Sequence, residues 1–498
     1  MAEPDVIVVG GGIGGLSAAF ALSRQEPRVR VLERASEFGE VGAGIQLAPN
    51  CTRILHEYGL LEEAVALGVL PRTMVMRDAL DGSDLTHLDL TDLERRYGFP
   101  YLVIHRTDLH AVLLRACQRA GVELRTSQHV TGYSSAGAVS LADGSTQRAG
   151  VVIAADGLHS VARGQLAGDD LVGSAYVAFR GAIPAGTARE SGVTENDVVV
   201  YVGPRCHFVR YPLRGGEILN QVAVFRSPSG SGTPGELDAA FAGACETVRQ
   251  GITLMGRDRW WGMSDRDPIG SWVNGRVALL GDAAHPPLQY IAQGAIMAIE
   301  DGWVLASHAG LLGQDWDAVL SAYQAVRAEH CRRVVLASRD WGYLWHLDGD
   351  KRLLRNEMLR ARDTYDYGFV DWLYGSTALT PEQEPPRYPA ITLAVAHGHV
   401  ASKGCGNLPG WVSQLGDRRS SRSRRTELRS ASTSRIRGSE YQPPPTGRLP
   451  MSEMTRFAGC GSPVSFAWPL TWTSRRLIPV MPICGCICSR TGWCVPTR

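Results

Sequence analysis

The sequence predicts an α/β fold: a Rossmann-like, doubly wound parallel sheet, interrupted by an inserted, mostly antiparallel sheet domain and followed by helices. Three observations predict it. The chain opens with a strand, a glycine-rich turn, a helix and a second strand. Short apolar strands return at residues 151–155 and 277–281, and the stretch between them alternates polar and apolar residues with period two.

Residues 5–9 are mostly β-branched and bounded by a glycine run, the pattern of a strand buried on both faces. Residues 10–15 turn, apolar residues recur at helical spacing over 13–24, and 29–33 form the second strand of a βαβ unit. Helical patterns follow at 51–67 and 107–120. From about 173 to 265, the stretches 197–202, 207–211 and 221–225 alternate and predict antiparallel strands. After Ala295 the pattern is helical to Ala328 and less regular to Arg362. Residues 1–75, 98–172 and 269–375 are therefore assigned to the nucleotide-binding domain and C-terminal helices, and 76–97 and 173–268 to the inserted domain.

Residues 376–498 change character. Residues 418–437 are rich in arginine and serine, 443–445 are prolines, and the end is dense in tryptophan and cysteine without periodicity. The expectation is out-of-frame translation of GC-rich DNA, dispensable for folding. Cys484, Cys486 and Cys488 lack the two-residue spacing and histidine partners of a zinc site, so no metal is expected.

A net charge of +1 supplies no field for nucleic acid or an anionic membrane. Only Lys351 and Lys403 are lysines. No apolar run reaches the roughly 18 residues of a membrane span, and no secretory signal opens the chain, so a cytoplasmic location is expected. Cys51, Cys117, Cys206, Cys245 and Cys331 are scattered singly and are expected to be reduced thiols.

Three motifs carry chemistry. Gly10-Gly11-Gly12-Ile13-Gly14-Gly15 holds G-x-G-x-x-G between strand and helix: Gly10 permits the turn, Gly12 lets backbone approach a pyrophosphate, and Gly15 lets helix meet sheet. Glu33, ending the second strand, can accept hydrogen bonds from a ribose. In residues 276–287, RVALLGDAAHPP, a strand delivers Asp282 to the carboxyl edge of the sheet, where ligands bind. Asp156-Gly157, with Arg163, follows another apolar strand.

In this order and spacing the three motifs resemble the single-component flavoprotein aromatic hydroxylases of para-hydroxybenzoate-hydroxylase fold, from Asp5 to about Gly375. The resemblance implies an FAD-binding domain and a substrate domain, with the ADP part of FAD held by Gly10, Gly12, Gly15, Glu33 and Arg34, and with Arg106, in His105-Arg106-Thr107-Asp108-Leu109, as the family's arginine contact to FAD. Asp282 would hold the ribityl chain and Asp156 would organise both FAD and the nicotinamide nucleotide. No second G-x-G-x-x-G follows a strand, so NADH or NADPH binds transiently. Where many members read Gly-Gln-Gly, this chain reads Gln293-Gly294-Ala295. The helix starting at Gly294 and Ala295 would aim its N-terminus at the flavin and favour negative charge there.

Several stretches resemble 3-hydroxybenzoate 6-hydroxylases in particular, among them residues 37–44, 203–208, 211–216, 285–290, 341–348 and 371–375; salicylate hydroxylases share much of this. The implied partners are a small phenolic acid and O2, with no nucleic acid or membrane and with a homodimer left open. Oxygen activated on flavin is electrophilic and attacks a ring enriched by an ionised hydroxyl, so a proton acceptor is needed. His207 and Tyr211 fall on one face of a strand and could form a relay, and Gln289 could orient the ring. Arg180, Arg205 and Arg210 are candidates for the substrate carboxylate. The leading expectation is 3-hydroxybenzoate to 2,5-dihydroxybenzoate; a decarboxylating salicylate 1-hydroxylase and a flavin oxidase or dehydrogenase are the alternatives.

Overall fold

The computed structural model describes residues 3–375 apart from 26, 40–41 and 191–196. The expectations for the tail after residue 375, including its cysteine cluster, lie outside the described residues.

Two sheets organise the fold. The first has six strands in the order Val273–Asn274, Val277–Leu279, Val151–Ala154, Val6–Val9, Val29–Leu32 and Glu123–Arg125. All pair in parallel except the first two. Its central strands are buried throughout, as their unbroken apolar sequence requires. The helix Ile13–Ser23 packs against the helix Gly294–Leu312 through small residues. A Cβ on Gly302 would stand 2.8 Å from the backbone nitrogen of Ala18, and one on Gly14 would stand 2.9 Å from the Ala298 methyl. Larger side chains would force these helices apart.

The second sheet has seven strands in the order Trp260–Asp265, Val172–Pro184, Ile218–Arg226, Cys206–Leu213, Val198–Gly203, Thr73–Asp78 and Asp84–Asp89. One pair, Val198–Gly203 with Thr73–Asp78, is parallel and the rest are antiparallel. Period-two alternation gives this sheet two different faces. Phe179, Tyr201, Phe208 and Phe225 pack on one side with Phe241 and Val248 of the helices Pro234–Phe241 and Glu246–Thr253. His207, Val209 and Tyr211, on the other side, line a cavity.

Two helical stretches are shorter than their periodicity predicts. Residues 51–67 divide into Pro49–Glu57 and Leu61–Leu67, because Gly59 lies at φ +71°. The run beginning at Gly294 stops at Leu312, where Gly313 takes φ +64°, and Asp315 then caps a separate helix, Trp316–Trp345. Both breaks are backbone decisions that a pattern of apolar side chains does not record. Among the described residues, no helix is long and apolar enough to cross a membrane.

Candidate active site

The two sheets and the helix Gly294–Leu312 enclose a cavity of about 1120 Å³. Most candidate site residues line it: Gly10, Gly12, Gly15, Glu33, Arg34, Asp156 and Asp282 around the glycine turn, Arg106, Gly294 and Ala295, and, on and beside the second sheet, His207, Tyr211, Arg180 and Gln289.

The first end is built from backbone. Gly10 sits at φ +109°, where a Cβ would come 2.3 Å from the Ala155 carbonyl oxygen, and a Cβ on Gly15 would come 1.9 Å from the Gly10 carbonyl oxygen. The helix that follows has Gly12 at its N-cap and no capping side chain, so its first N–H groups are left for a ligand. The helix Gly294–Leu312 also starts uncapped, after Gln293. Glu33 binds the turn itself: its Oε2 accepts from the Gly11 N–H at 2.7 Å and its Oε1 from the Ala35 N–H at 2.8 Å. Asp156 Oδ2 accepts from the Tyr133 hydroxyl and the Val161 N–H, both at 2.9 Å, while its Oδ1 is sealed with no partner among the described residues. Asp282 is exposed toward the cavity.

Beneath this end lies a network that sequence reasoning missed. Asp301 accepts from the Gly281 N–H at 3.0 Å, from Arg327 Nε at 2.8 Å, and pairs with His285 Nε2 at 2.6 Å. Arg327 also reaches Glu300 at 2.8 Å, and Asn50 joins Glu300 to Gln293. The Gly281-Asp282 turn and the Gln293 helix start are thus tied to one buried ionic frame. Although burial raises it, the charges of His285 and Arg327 hold the Asp301 pKa down to about 2. His285, Asp301 and Cys331 could together meet a metal, but Arg327 already neutralises that carboxylate, and the arrangement is a salt-bridged network.

The second end is built from side chains. Arg180 donates to Gln289 Oε1 at 2.5 Å, and its Nε is sealed without a partner among the described residues. Burial lowers its pKa, the Tyr211 hydroxyl opposing and Arg106 reinforcing the shift. Of the three candidate arginines only Arg180 lines the cavity. Arg205 points outward to Asp348, and Arg210 lies over Tyr201 and Phe208 on the opposite face of its strand. Tyr211 is placed by two neighbours. Gly44 leaves room for its ring, since a Cβ there would stand 2.5 Å from it, and the strand partner of Tyr211, Asn220, accepts from the Gly44 N–H at 2.9 Å. Burial pushes the Tyr211 phenol pKa well above its usual value, against the pull of Arg180.

His207 shares the face of Tyr211, but no hydrogen bond joins the two, because four residues of strand separate them by roughly 13 Å. The His207 partner is instead His346: Nδ1 and Nε2 are 2.8 Å apart and the rings stack at 5.1 Å. Burial, reinforced by His346, lowers the His207 pKa well below the ordinary imidazole value, and burial with the nearby Arg355 charge takes His346 down to about 3. Both shifts favour the neutral imidazole. His346 stood in the sequence within residues 341–348, but nothing there paired it with a strand 139 residues earlier.

Comparison with known proteins fits this geometry. The model of a family described as FAD binding domain matches residues 3–338. A 3-hydroxybenzoate 6-hydroxylase of Polaromonas naphthalenivorans (strain CJ2) is 41% identical over 386 residues, 75% of this chain and 96% of that protein. The structure of a Klebsiella pneumoniae HpxO variant complexed with FAD superposes with a TM-score of 0.67 at 27% identity, covering 76% of this chain and 98% of that one. A salicylate hydroxylase substrate complex superposes with a TM-score of 0.64 at 26% identity, covering 76% and 99%. The protein is a single-component flavoprotein aromatic monooxygenase of para-hydroxybenzoate-hydroxylase fold. The chain belongs to the FAD binding domain family, with FAD as cofactor and a nicotinamide nucleotide as co-substrate. The glycine turn and the two uncapped helix starts fit that cofactor.

Proposed function

We propose that the chain hydroxylates 3-hydroxybenzoate para to its hydroxyl, giving 2,5-dihydroxybenzoate (gentisate) with the carboxylate retained. The observation that carries this reading is the separation of polar groups at the second end of the cavity. Arg180, Gln289 and Tyr211 stand together, whereas the neutral imidazole of His207 stands one strand segment away. A cation with donors suits a carboxylate, and a neutral base suits a phenol. A ring carrying these groups meta to each other reaches both sites, whereas the ortho groups of salicylate both point toward one. FAD held at the glycine turn would activate O2 with electrons from NADH or NADPH.

In this reading Arg180 and Tyr211 bind the carboxylate, Gln289 holds Arg180 and the ring edge, and His207 Nε2 accepts the phenolic proton. Gly10, Gly12, Gly15, Glu33, Arg34 and Arg106 hold the adenosine and pyrophosphate, Asp156 and Asp282 the ribityl side, and Gly294 and Ala295 the helix start facing the flavin. The test is turnover of purified enzyme with NADH, O2 and a panel of hydroxybenzoates, with product mass analysis. Gentisate without carbon dioxide is expected; catechol and carbon dioxide from salicylate as the best substrate would reject it. Replacing Arg180 by Met should raise KM for 3-hydroxybenzoate about 100-fold, the scale of a lost charge-assisted hydrogen bond, while changing little for 3-hydroxybenzyl alcohol.

A further inference from the structure

His346 does not line the main cavity. It lines a second pocket of about 570 Å³ that opens on the other side of the same wall, with Tyr176, Tyr343, Asp348, Asp350 and Lys351. His207 lines the main cavity and not the outer pocket. The 2.8 Å hydrogen bond between the two rings therefore crosses the wall. Each ring has one nitrogen left, His207 Nε2 and His346 Nδ1, and neither makes a hydrogen bond to a described residue or is sealed in the interior. The pair is held in register. Tyr176 stacks on His346 at 4.3 Å, Tyr290 packs edgewise on His346 and Trp345 edgewise on His207, and the His346 carbonyl accepts from the Arg205 N–H at 3.1 Å.

We propose that His207 and His346 form a proton wire carrying the substrate's phenolic proton from the main cavity to water in the outer pocket, with His346 acting through His207. This rests on the reading of His207 as the base. The balance is one proton in and one proton out. The resting pair carries protons on His207 Nδ1 and His346 Nδ1, with the His207 Nδ1–H donating to His346 Nε2. As the phenol gives its proton to His207 Nε2, the His207 Nδ1 proton passes to His346 Nε2, and the His346 Nδ1 proton leaves to water. Both rings end neutral in the other tautomer, which suits a buried pair whose burial disfavours either imidazolium. The Arg355 guanidinium, which donates to the Trp345 carbonyl at 2.7 Å, further discourages a resting charge on His346. A second shift in reverse, or a ring flip, resets the pair once product leaves.

The test separates proton transfer from catalysis and from packing. A nitro-substituted hydroxybenzoate, mixed with FAD-loaded enzyme below the probe's own pKa, turns yellow as it ionises, whether or not it is hydroxylated. Wild type should ionise it fast. His346→Gln, which keeps a hydrogen bond to His207 but passes no proton, and His346→Ala should each slow ionisation at least tenfold while retaining FAD. Imidazole added to the buffer can enter the enlarged outer pocket and should restore the rate in His346→Ala but not in His346→Gln. A wild type that leaves the probe un-ionised, a variant that ionises it at the wild-type rate, or a slowed His346→Ala that imidazole does not rescue would each overturn the wire. Gentisate formation is scored separately, so failure of the substrate assignment leaves these rates readable.

Discussion

His285 and His207 are both buried histidines, yet their surroundings shift their pKa values in opposite directions. His285 faces the Asp301 carboxylate, and that charge outweighs burial, raising its pKa well above the ordinary value. His207 faces another imidazole, so burial acts without opposition and its pKa falls well below it. The first is a structural cation in an ionic frame beneath the cofactor end. The second is held toward its neutral form, with a lone pair to offer. Burial alone therefore says nothing about a histidine's role; the charge of its nearest neighbour decides it.

The largest effect should come from attacking each site at its key group. His207→Gln should slow hydroxylation by roughly 100-fold to 10,000-fold, the span of general-base catalysis, with FAD retained. Stopped-flow single turnover measures it, and a near-wild-type rate would break the comparison on the neutral side. Arg327→Met should instead cost about 3–5 kcal/mol of stability, since it strands Asp301 and Glu300 without their cation in a dry interior. Denaturant unfolding of the FAD-free and FAD-bound protein checks this.

Titration sharpens the contrast through its sign. His207 and His346 have folded pKa values depressed below the unfolded value, so the folded state binds fewer protons. Their contribution to stability is present above about pH 6.5 and is lost as pH falls from there toward the folded values, with a slope approaching about 1.4 kcal/mol per pH unit for each ring. His285 runs the other way: its contribution is present below about pH 6.5 and is lost as pH rises toward its raised folded value. His207→Gln should flatten the acid limb of the stability profile and His285→Gln the alkaline limb. Unfolding midpoints measured across pH 5–9 would expose a reversal. The smallest effect belongs to the stacking partner: Tyr176→Leu should cost about 1 kcal/mol, the scale of a lost aromatic pair, and leave FAD binding intact.

The glycine-turn end of the cavity was legible in the sequence because its geometry is local. Gly10, Gly12 and Gly15 act through backbone conformation and close approach within a single turn, and Asp156 and Asp282 each follow directly from a strand end. A motif of adjacent residues records such geometry in full. The two-sheet architecture was legible for a similar reason, since hydrophobic period separates a parallel strand buried on both faces from an alternating antiparallel one. What the sequence could not decide was which distant side chains meet. Arg180, Arg205 and Arg210 are equivalent as letters; strand register turns Arg180 toward the cavity and Arg210 to the opposite face, while Arg205 sits in the hairpin turn at φ +57° and points outward. His207 and Tyr211 do share a face, but the partner that gives His207 its character, His346, comes from the end of a helix 139 residues away. The Asp301–Arg327 frame likewise joins two helices, and no motif in either sequence pairs the two residues. Local backbone chemistry is written in consecutive residues, whereas the charge state of a buried group depends on neighbours that only tertiary packing brings within a few ångströms.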